Sequence, residues 1–417
     1  MAIQYEDTRL RPRLNELEMK TKTILTVLLV LSGLTAFSQT KRADSWPQDC
    51  PLVTYTLDDS VWKVSQWISV ADAPEVTGRV DEDTRAADGA NWFVSTITNE
   101  KKVVKAQWMT TSLGVNELYV NGQRIGREVL RPGFSHHSRT KYSFTYDITK
   151  QFQTKKGRQN VLAAQVTPGW WADKIITPSG SNGMYGQKCA FRGVLELTFS
   201  DGSKRLYGTN TKDWKAGIAG PVTHAAIFDG EEYDARIEPP LAPPKEGDRG
   251  FSTPIVSTEY RGNIVPENGA EIYHLDNLAM NPKQAYVYSK TEGASDDAFG
   301  KIVIDRKDCQ PMTVRPGEHL VIDFGQNCAA VPSFRFRAKA GTRLTCLPAE
   351  LLNDGNGAKS RGMDGPEGSI HRRNLRIHEK SIRLDYTFGN ERTAPADSSL
   401  FTSGIYTTLH LLRLSLC

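Results

Sequence analysis

Cysteine is scarce in this sequence, net charge is small, and helical periodicity is nearly missing. The six cysteines in 417 residues, Cys50, Cys189, Cys309, Cys328, Cys346 and Cys417, lie far apart. None forms a Cys-x-x-Cys pair and none has a histidine at ligand spacing, so a zinc site has no basis. Such isolated cysteines behave as small buried apolar residues, and their spacing selects no disulfide pairs. The formal charge is only +4, with Lys and Arg scattered rather than massed in a stripe. A nucleic-acid partner is therefore not expected. No amphipathic helix of useful length appears, and no stretch after residue 38 approaches the ~20 apolar residues of a membrane-spanning helix.

The one pronounced apolar run lies near the N-terminus. Lys20 and Lys22 precede Ile24-Leu25-Thr26-Val27-Leu28-Leu29-Val30-Leu31, and Ala36-Phe37-Ser38 places small residues where a signal peptidase reads them. Residues 19–38 are expected to be a cleavable secretory signal, cut before Gln39. The product is then exported, periplasmic or extracellular, with no membrane span left after cleavage. No cysteine follows the run closely enough for lipidation. Residues 1–18 are polar and charged, an unusual prelude to a signal, so Met19 is the expected start and residues 1–18 a mis-assigned extension.

From about Trp62 onward, short alternating or β-branched and aromatic runs are broken by turn signals, the pattern of sandwiches and barrels. Glu117-Leu118-Tyr119-Val120 and Gln123-Arg124-Ile125 flank Asn121-Gly122, which accepts the positive φ angles of a type I′ hairpin turn. Residues 194–199 and 204–207 flank Asp201-Gly202 in a second hairpin with a longer loop. Further strands are expected at 104–109, 143–148 and 161–166, giving one sandwich over 60–236. Glu238-Pro239-Pro240-Leu241-Ala242-Pro243-Pro244 cannot enter a sheet interior, because proline lacks the donor. Residues 237–262 are therefore expected to be a linker. Strands recur at 285–289, 301–304, 319–324, 333–338, 342–347 and 382–388, which predicts a second β-domain over 263–390. A tail over 391–417 follows. The expected fold class is mostly β, with two or three jelly-roll-like sandwiches.

Four local patterns, taken in order, resemble the bacterial α-L-rhamnosidases of glycoside hydrolase family 78. The first is Leu113-Gly114-Val115-Asn116-Glu117-Leu118-Tyr119-Val120-Asn121-Gly122, followed by Leu130-Arg131-Pro132-Gly133-Phe134 and Thr145-Tyr146-Asp147-Ile148-Thr149. Pro168-Gly169-Trp170-Trp171 is the second, and Asp229-Gly230-Glu231-Glu232-Tyr233-Asp234-Ala235-Arg236 the third. The fourth is Val321-Ile322-Asp323-Phe324-Gly325-Gln326-Asn327 with Ala340-Gly341-Thr342 and Pro348-Ala349-Glu350-Leu351-Leu352. The resemblance implies the β-domains that precede the family's (α/α)6 barrel, where its general acid and general base reside. No such barrel is expected within these residues, and no catalytic residue is assigned. After Gly389 the family character fades, and the tail through Leu409-His410-Leu411-Leu412 reads as foreign to the family. A frame change near residue 390 would account for it, and translating the downstream DNA in the other two frames tests that.

Three functions follow as expectations. The first is an α-L-rhamnosidase-like protein without catalysis, at most binding rhamnose-containing glycans. A free-standing rhamnose-binding module is the second and an active glycoside hydrolase the third. Sugar rings stack their apolar faces on aromatics and need fixed polar partners at the rim. Trp170, Trp171, Asp173, Asn182 and Tyr185 bracket a loop with both, and they are the candidate carbohydrate-binding residues. The competing reading has one tryptophan in the sandwich core and the other capping it. Some related sandwiches bind rhamnose through calcium, and Asp173 and Asn182 are oxygen donors of suitable type, although the spacing itself defines no metal site. His136-His137 reads as an exposed loop, and Asn353-Asp354-Gly355-Asn356-Gly357 as a surface turn. The acidic groups Asp81-Glu82-Asp83 and Glu231-Glu232 read as solvated faces.

Overall fold

The computed structural model describes residues 59–71, 73, 89–173, 183–227, 230–244, 248, 250–267, 271–292, 300–307, 312–330, 332, 337–356, 362, 365–371 and 383–389, with the backbone of a strand at 407–416. The expected leader, Cys50, Cys309, Cys417, Asn182, Asp81-Glu82-Asp83 and most of the 333–338 segment lie outside the described residues. Among those described, the regular elements are almost all strands, with only short helical turns and no helical barrel. No described helix is long and apolar enough to cross a membrane.

Two sheets form the first sandwich. A seven-stranded sheet runs Ile255–Val256, Ile68–Ser69, Ala190–Phe199, Val103–Leu113, Thr140–Asp147 and Asn263–Pro266, with Lys204–Gly208 paired to Ala190–Phe199. Opposite it, six strands run Phe251–Ser252, Trp214–Ile218, Asn91–Thr98, Gln159–Thr167, Val115–Val120 and Gln123–Ile125. Strand residues alternate between faces, and the inward set is large and apolar. Phe191 lies at its centre, with ring centroids 5.8 Å from Phe93, 6.0 Å from Trp108 and 5.6 Å from Trp214. Each such side chain contributes roughly 1.5–3 kcal/mol by leaving water. The first hairpin is as expected, with Asn121 at φ 51° and Gly122 at φ 81° between its strands. The second, across Asp201-Gly202, forms as well.

An eight-stranded sheet follows, ordered Val222–Ala226, Gly230–Asp234, Arg383–Thr387, Arg343–Ala349, Thr407–Leu416, His319–Ala330, Gln284–Glu292 and Lys301–Lys307. Period-2 alternation buries both of its faces. Ala285 and Val287 join Leu344, Leu384 and Phe388 in one cluster, while Tyr286 and Tyr288 join Ile302, Val321 and Ile370 in another.

The strands cross the expected divisions of the chain. Phe251–Ser252 and Ile255–Val256, within the expected linker, pair with Trp214–Ile218 and Ile68–Ser69. Asn263–Pro266 also joins the first sandwich, in parallel with 140–143. Conversely, Gly230–Asp234, expected to close that sandwich, lies parallel to Arg383–Thr387, and the Tyr233 and Tyr386 rings stack at 5.4 Å. The described residues of the proline run, 238–244, stay outside every sheet. Thr407–Leu416, in the expected tail, pairs with 319–330 on one side and 343–349 on the other.

Three local expectations are corrected. Glu231 is not solvated but fully buried, because its strand lies between two others, and Glu232 reaches Arg343 at 3.4 Å. Asn353 is buried rather than on a surface turn, donating through Nδ2 to Ser369 Oγ at 2.9 Å. His137 is buried too, as the site below explains. Cys189 and Cys346 are buried among apolar side chains, as expected of isolated cysteines.

Candidate functional site

The register gathers four chain segments at one end of the first sandwich. Val115 pairs with Thr167 and Leu113 with Ala190, so the residues after 167 and before 190 emerge together. The 130–139 turn, which leads into the strand starting at Thr140, and Tyr260, which precedes Asn263–Pro266, join them. Residues 169–172 make a single helical turn after Pro168. Gly169 permits it: its φ is +52°, and a Cβ there would stand 2.6 Å from Val115 Cγ2.

That turn sends its two tryptophans in different directions. Trp171 is 1% exposed and packs with Trp67, Leu113 and Tyr260, donating through Nε1 to the Lys188 carbonyl at 3.1 Å. It is a core residue, which corrects its expected place at a sugar surface. Trp170 is only partly buried, and its ring lies 6.0 Å from Phe134, edge to face. Phe134 is 59% exposed. Asp173 is also inside: it is 1% exposed, and its Oδ2 accepts the Ile227 backbone N–H at 2.7 Å. The expected role of Asp173 as a rim ligand is corrected accordingly, since that carboxylate oxygen is committed to the backbone. Asn182 lies outside the described residues. Among the described residues no group of three or more His, Cys, Asp or Glu side chains converges on a metal position.

Tyr185 belongs to the aromatic cluster through a residue that the sequence reading had placed in solvent. The His137 ring sits between Phe134 and Tyr185, with centroids 5.0 Å from each. A tight turn holds it there: the His136 carbonyl accepts from the N–H groups of Arg139 and Thr140, both at 2.8 Å, and Ser135 Oγ donates to the Thr140 carbonyl at 2.7 Å. His136 faces solvent and His137 faces inward.

Below His137 lies Lys141, itself 1% exposed, with Nζ 2.7 Å from His137 Nδ1 and 4.2 Å from the centre of the Trp171 ring. Burial pulls the Lys141 ammonium down to about 7. The ring face of Trp171 opposes that by favouring the cation. Burial, with the neighbouring Lys141 charge, holds His137 down at about 3, so its imidazole is neutral at ordinary pH. The arrangement is an exposed Phe134 with half-buried Trp170 and Tyr185, over a neutral histidine backed by a buried lysine. Aromatic faces and a neutral polar partner suit an uncharged polyhydroxylated ligand. A lysine and a histidine inside a sandwich leave no signature in a single sequence, because polar spacing in loops carries no period.

The comparisons with known proteins agree with the fold. The profile of the alpha-L-rhamnosidase N-terminal domain matches residues 101–259, and that of the bacterial alpha-L-rhamnosidase concanavalin-like domain matches 313–398. An alpha-L-rhamnosidase of Streptomyces avermitilis is 30% identical over 338 residues, 80% of this chain and 27% of the relative. One from Alteromonas sp. (strain LOR) is 27% identical over 315 residues, 75% of this chain and 30% of the relative. Among solved structures, the Streptomyces avermitilis α-L-rhamnosidase complexed with L-rhamnose shares the fold over 82% of this chain and 28% of its own, with TM-score 0.58 at 23% identity. The Aspergillus terreus α-L-rhamnosidase does so over 86% of this chain and 34% of its own, with TM-score 0.63 at 21% identity. This chain thus spans less than a third of the curated relatives it matches. Its four motifs and both profiles agree that the chain belongs to the bacterial α-L-rhamnosidase family, glycoside hydrolase family 78, of which it carries the N-terminal and concanavalin-like β-domains.

Proposed function

We propose that this chain binds terminal L-rhamnose of rhamnose-containing glycans through the aromatic cluster of its first sandwich, and does not itself hydrolyse them. The observation that carries the reading is the exposed Phe134 ring beside the half-buried Trp170, set over a buried, neutral polar group. A sugar's C–H face stacks on such a ring, and the polar group beneath supplies orientation. Inverting hydrolysis needs two carboxyls about 6.5–9.5 Å apart across a sugar-sized pocket. Several described acidic side chains are instead tied to cations: Asp234 to Arg236 at 2.6 Å, Asp201 to Lys101 at 2.6 Å and Glu318 to Arg306 at 2.7 Å. Calcium as a bridging ion belongs to the same proposal, as the family resemblance implies through Asp173 and Asn182; Asp173 lies buried and Asn182 outside the described residues.

Calorimetric titration of the purified full chain with L-rhamnose, with and without calcium, tests the reading alongside assay on an aryl α-L-rhamnoside. Saturable heat without turnover is the expected result; turnover would restore the hydrolase reading. The same proposal places the chain outside the cytoplasm through residues 19–38, since these have the charge, apolar core and small-residue exit of a leader. N-terminal sequencing of the exported product is expected to begin at Gln39, and an unprocessed Met19 or Met1 would contradict it.

A further inference from the structure

His137 has an unsatisfied side. It is 2% exposed, and its Nε2 has no hydrogen-bond partner. Buried polar atoms in native proteins are nearly always paired, so such an atom asks for an explanation at the site it faces. Its other nitrogen is fully occupied. Lys141 Nζ lies 2.7 Å from Nδ1, whereas Ser135 Oγ lies 3.3 Å away and donates its proton to the Thr140 carbonyl instead. As an ammonium, Lys141 has no lone pair and can only donate, so in that state Nδ1 is the acceptor and the ring proton stands on Nε2. Nε2 lies on the ring edge turned away from Lys141, on a ring held between Phe134 and Tyr185, the same aromatic cluster that holds Trp170.

We propose that His137 is the ligand-reading donor of this site: its Nε2–H binds a hydroxyl or ring oxygen of the sugar stacked on Trp170, and Lys141 is the positioning residue that fixes the imidazole in that tautomer. The inference rests on the carbohydrate-binding reading above and names the polar contact that the reading leaves unassigned. The pairing has a chemical logic. A neutral N–H donor suits an uncharged sugar, whose hydroxyl oxygens accept readily, and a site built around a hydrogen bond rejects molecules that leave its buried donor unpaired. Lys141 stays clear of the ligand, packed against the rings of Trp171 and Tyr260, the latter's centre 5.8 Å from Nζ. Tyr260 is itself fixed, donating from its hydroxyl to the Asn263 carbonyl at 2.8 Å.

The test uses the full chain and L-rhamnose as the probe. Removing His137 alone strands the Lys141 amine, so the variant of choice is the double substitution His137→Phe with Lys141→Met, which makes both members of the buried pair apolar together. It is expected to keep a cooperative thermal transition and to weaken rhamnose binding at least tenfold. His137→Gln, which keeps an N–H donor, is expected to retain part of the affinity. In the wild type, nitrogen NMR of the histidine side chains is expected to show His137 protonated on Nε2 and that resonance to move on adding L-rhamnose. If wild type binds rhamnose, and the double variant folds and binds equally well, the inference is overturned and the reading stands. The same holds if His137 proves to carry its proton on Nδ1, or its Nε2 signal ignores the sugar. If wild type binds no rhamnose, both fall.

Discussion

At the scale of single residues, chemistry and solvent access divide neighbours sharply. Trp170 and Trp171 are adjacent, yet one lies half-open beside Phe134 and the other is sealed beneath Lys141. His136 and His137 divide in the same way. That partition was only half legible in the sequence. Composition announced an aromatic, polar loop around 170–185, but the direction of each side chain depends on a helical turn and on a hairpin distant in sequence. Asp173 illustrates the cost: its type suggested a rim ligand, while its position commits it to the Ile227 backbone. The buried Lys141 has a consequence for stability. Its folded value, about 7, lies below the value near 10.4 of an exposed lysine, so between those limits the unfolded chain binds more protons than the folded one. Folding stability therefore rises with pH from about 7 towards 10, by up to a few kcal/mol. Below pH 7 the full penalty of holding the ammonium in the core applies. Lys141→Met removes this slope. Denaturation at pH 7 and pH 10 is expected to show the difference between Lys141→Met and wild type shifting towards wild type as pH rises, and a constant difference would contradict the burial of the amine.

At the scale of elements, hairpins were the most readable features. Asn121-Gly122 and the turn at Asp201-Gly202 carry their backbone geometry in their residue types, and the strands beside them alternate cleanly. The long strands of both β-regions were readable for the same reason. Non-local pairings were not. The two-residue strands at 251–252 and 255–256 are too short for any period, and the parallel pairing of 230–234 with 383–387 joins segments about 150 residues apart, which no local pattern encodes. Glu231 was misread for that reason, since nothing local marks its strand as interior. At the site, the 183–190 segment is closed onto the helical turn by Gly186, where a Cβ would stand 2.2 Å from Trp171 Cζ2. Gly186→Ala is expected to push the Trp171 ring outward, weaken its Nε1 bond to Lys188, and cost about 1–3 kcal/mol. A red-shifted tryptophan emission with a lowered melting temperature would register it, and an unchanged melting temperature would mean that the two segments are not locked in this way.

At the scale of the whole molecule, the strands of the two β-regions interlock rather than follow one another as beads. Segments on both sides of the proline run return to the sheets that precede and follow it, so the run spans the surface while the flanking strands join the halves. Fold class and family were legible, because four motifs in a fixed order carry more information than any one of them. The proposed site was legible only in outline: Trp170 and Tyr185 fall in the aromatic cluster, Phe134 and the His137–Lys141 pair were not foreseen, and Trp171 and Asp173 are buried. The most direct test of rhamnose recognition at this cluster is calorimetric titration of the full chain and its Trp170→Ala variant with L-rhamnose, in calcium and in chelator. Removing a stacking ring is worth about 1–3 kcal/mol, so the account predicts saturable binding by wild type and at least a several-fold loss in the variant, at unchanged melting temperature. No binding by wild type in either condition, or equal binding by the variant, would contradict it.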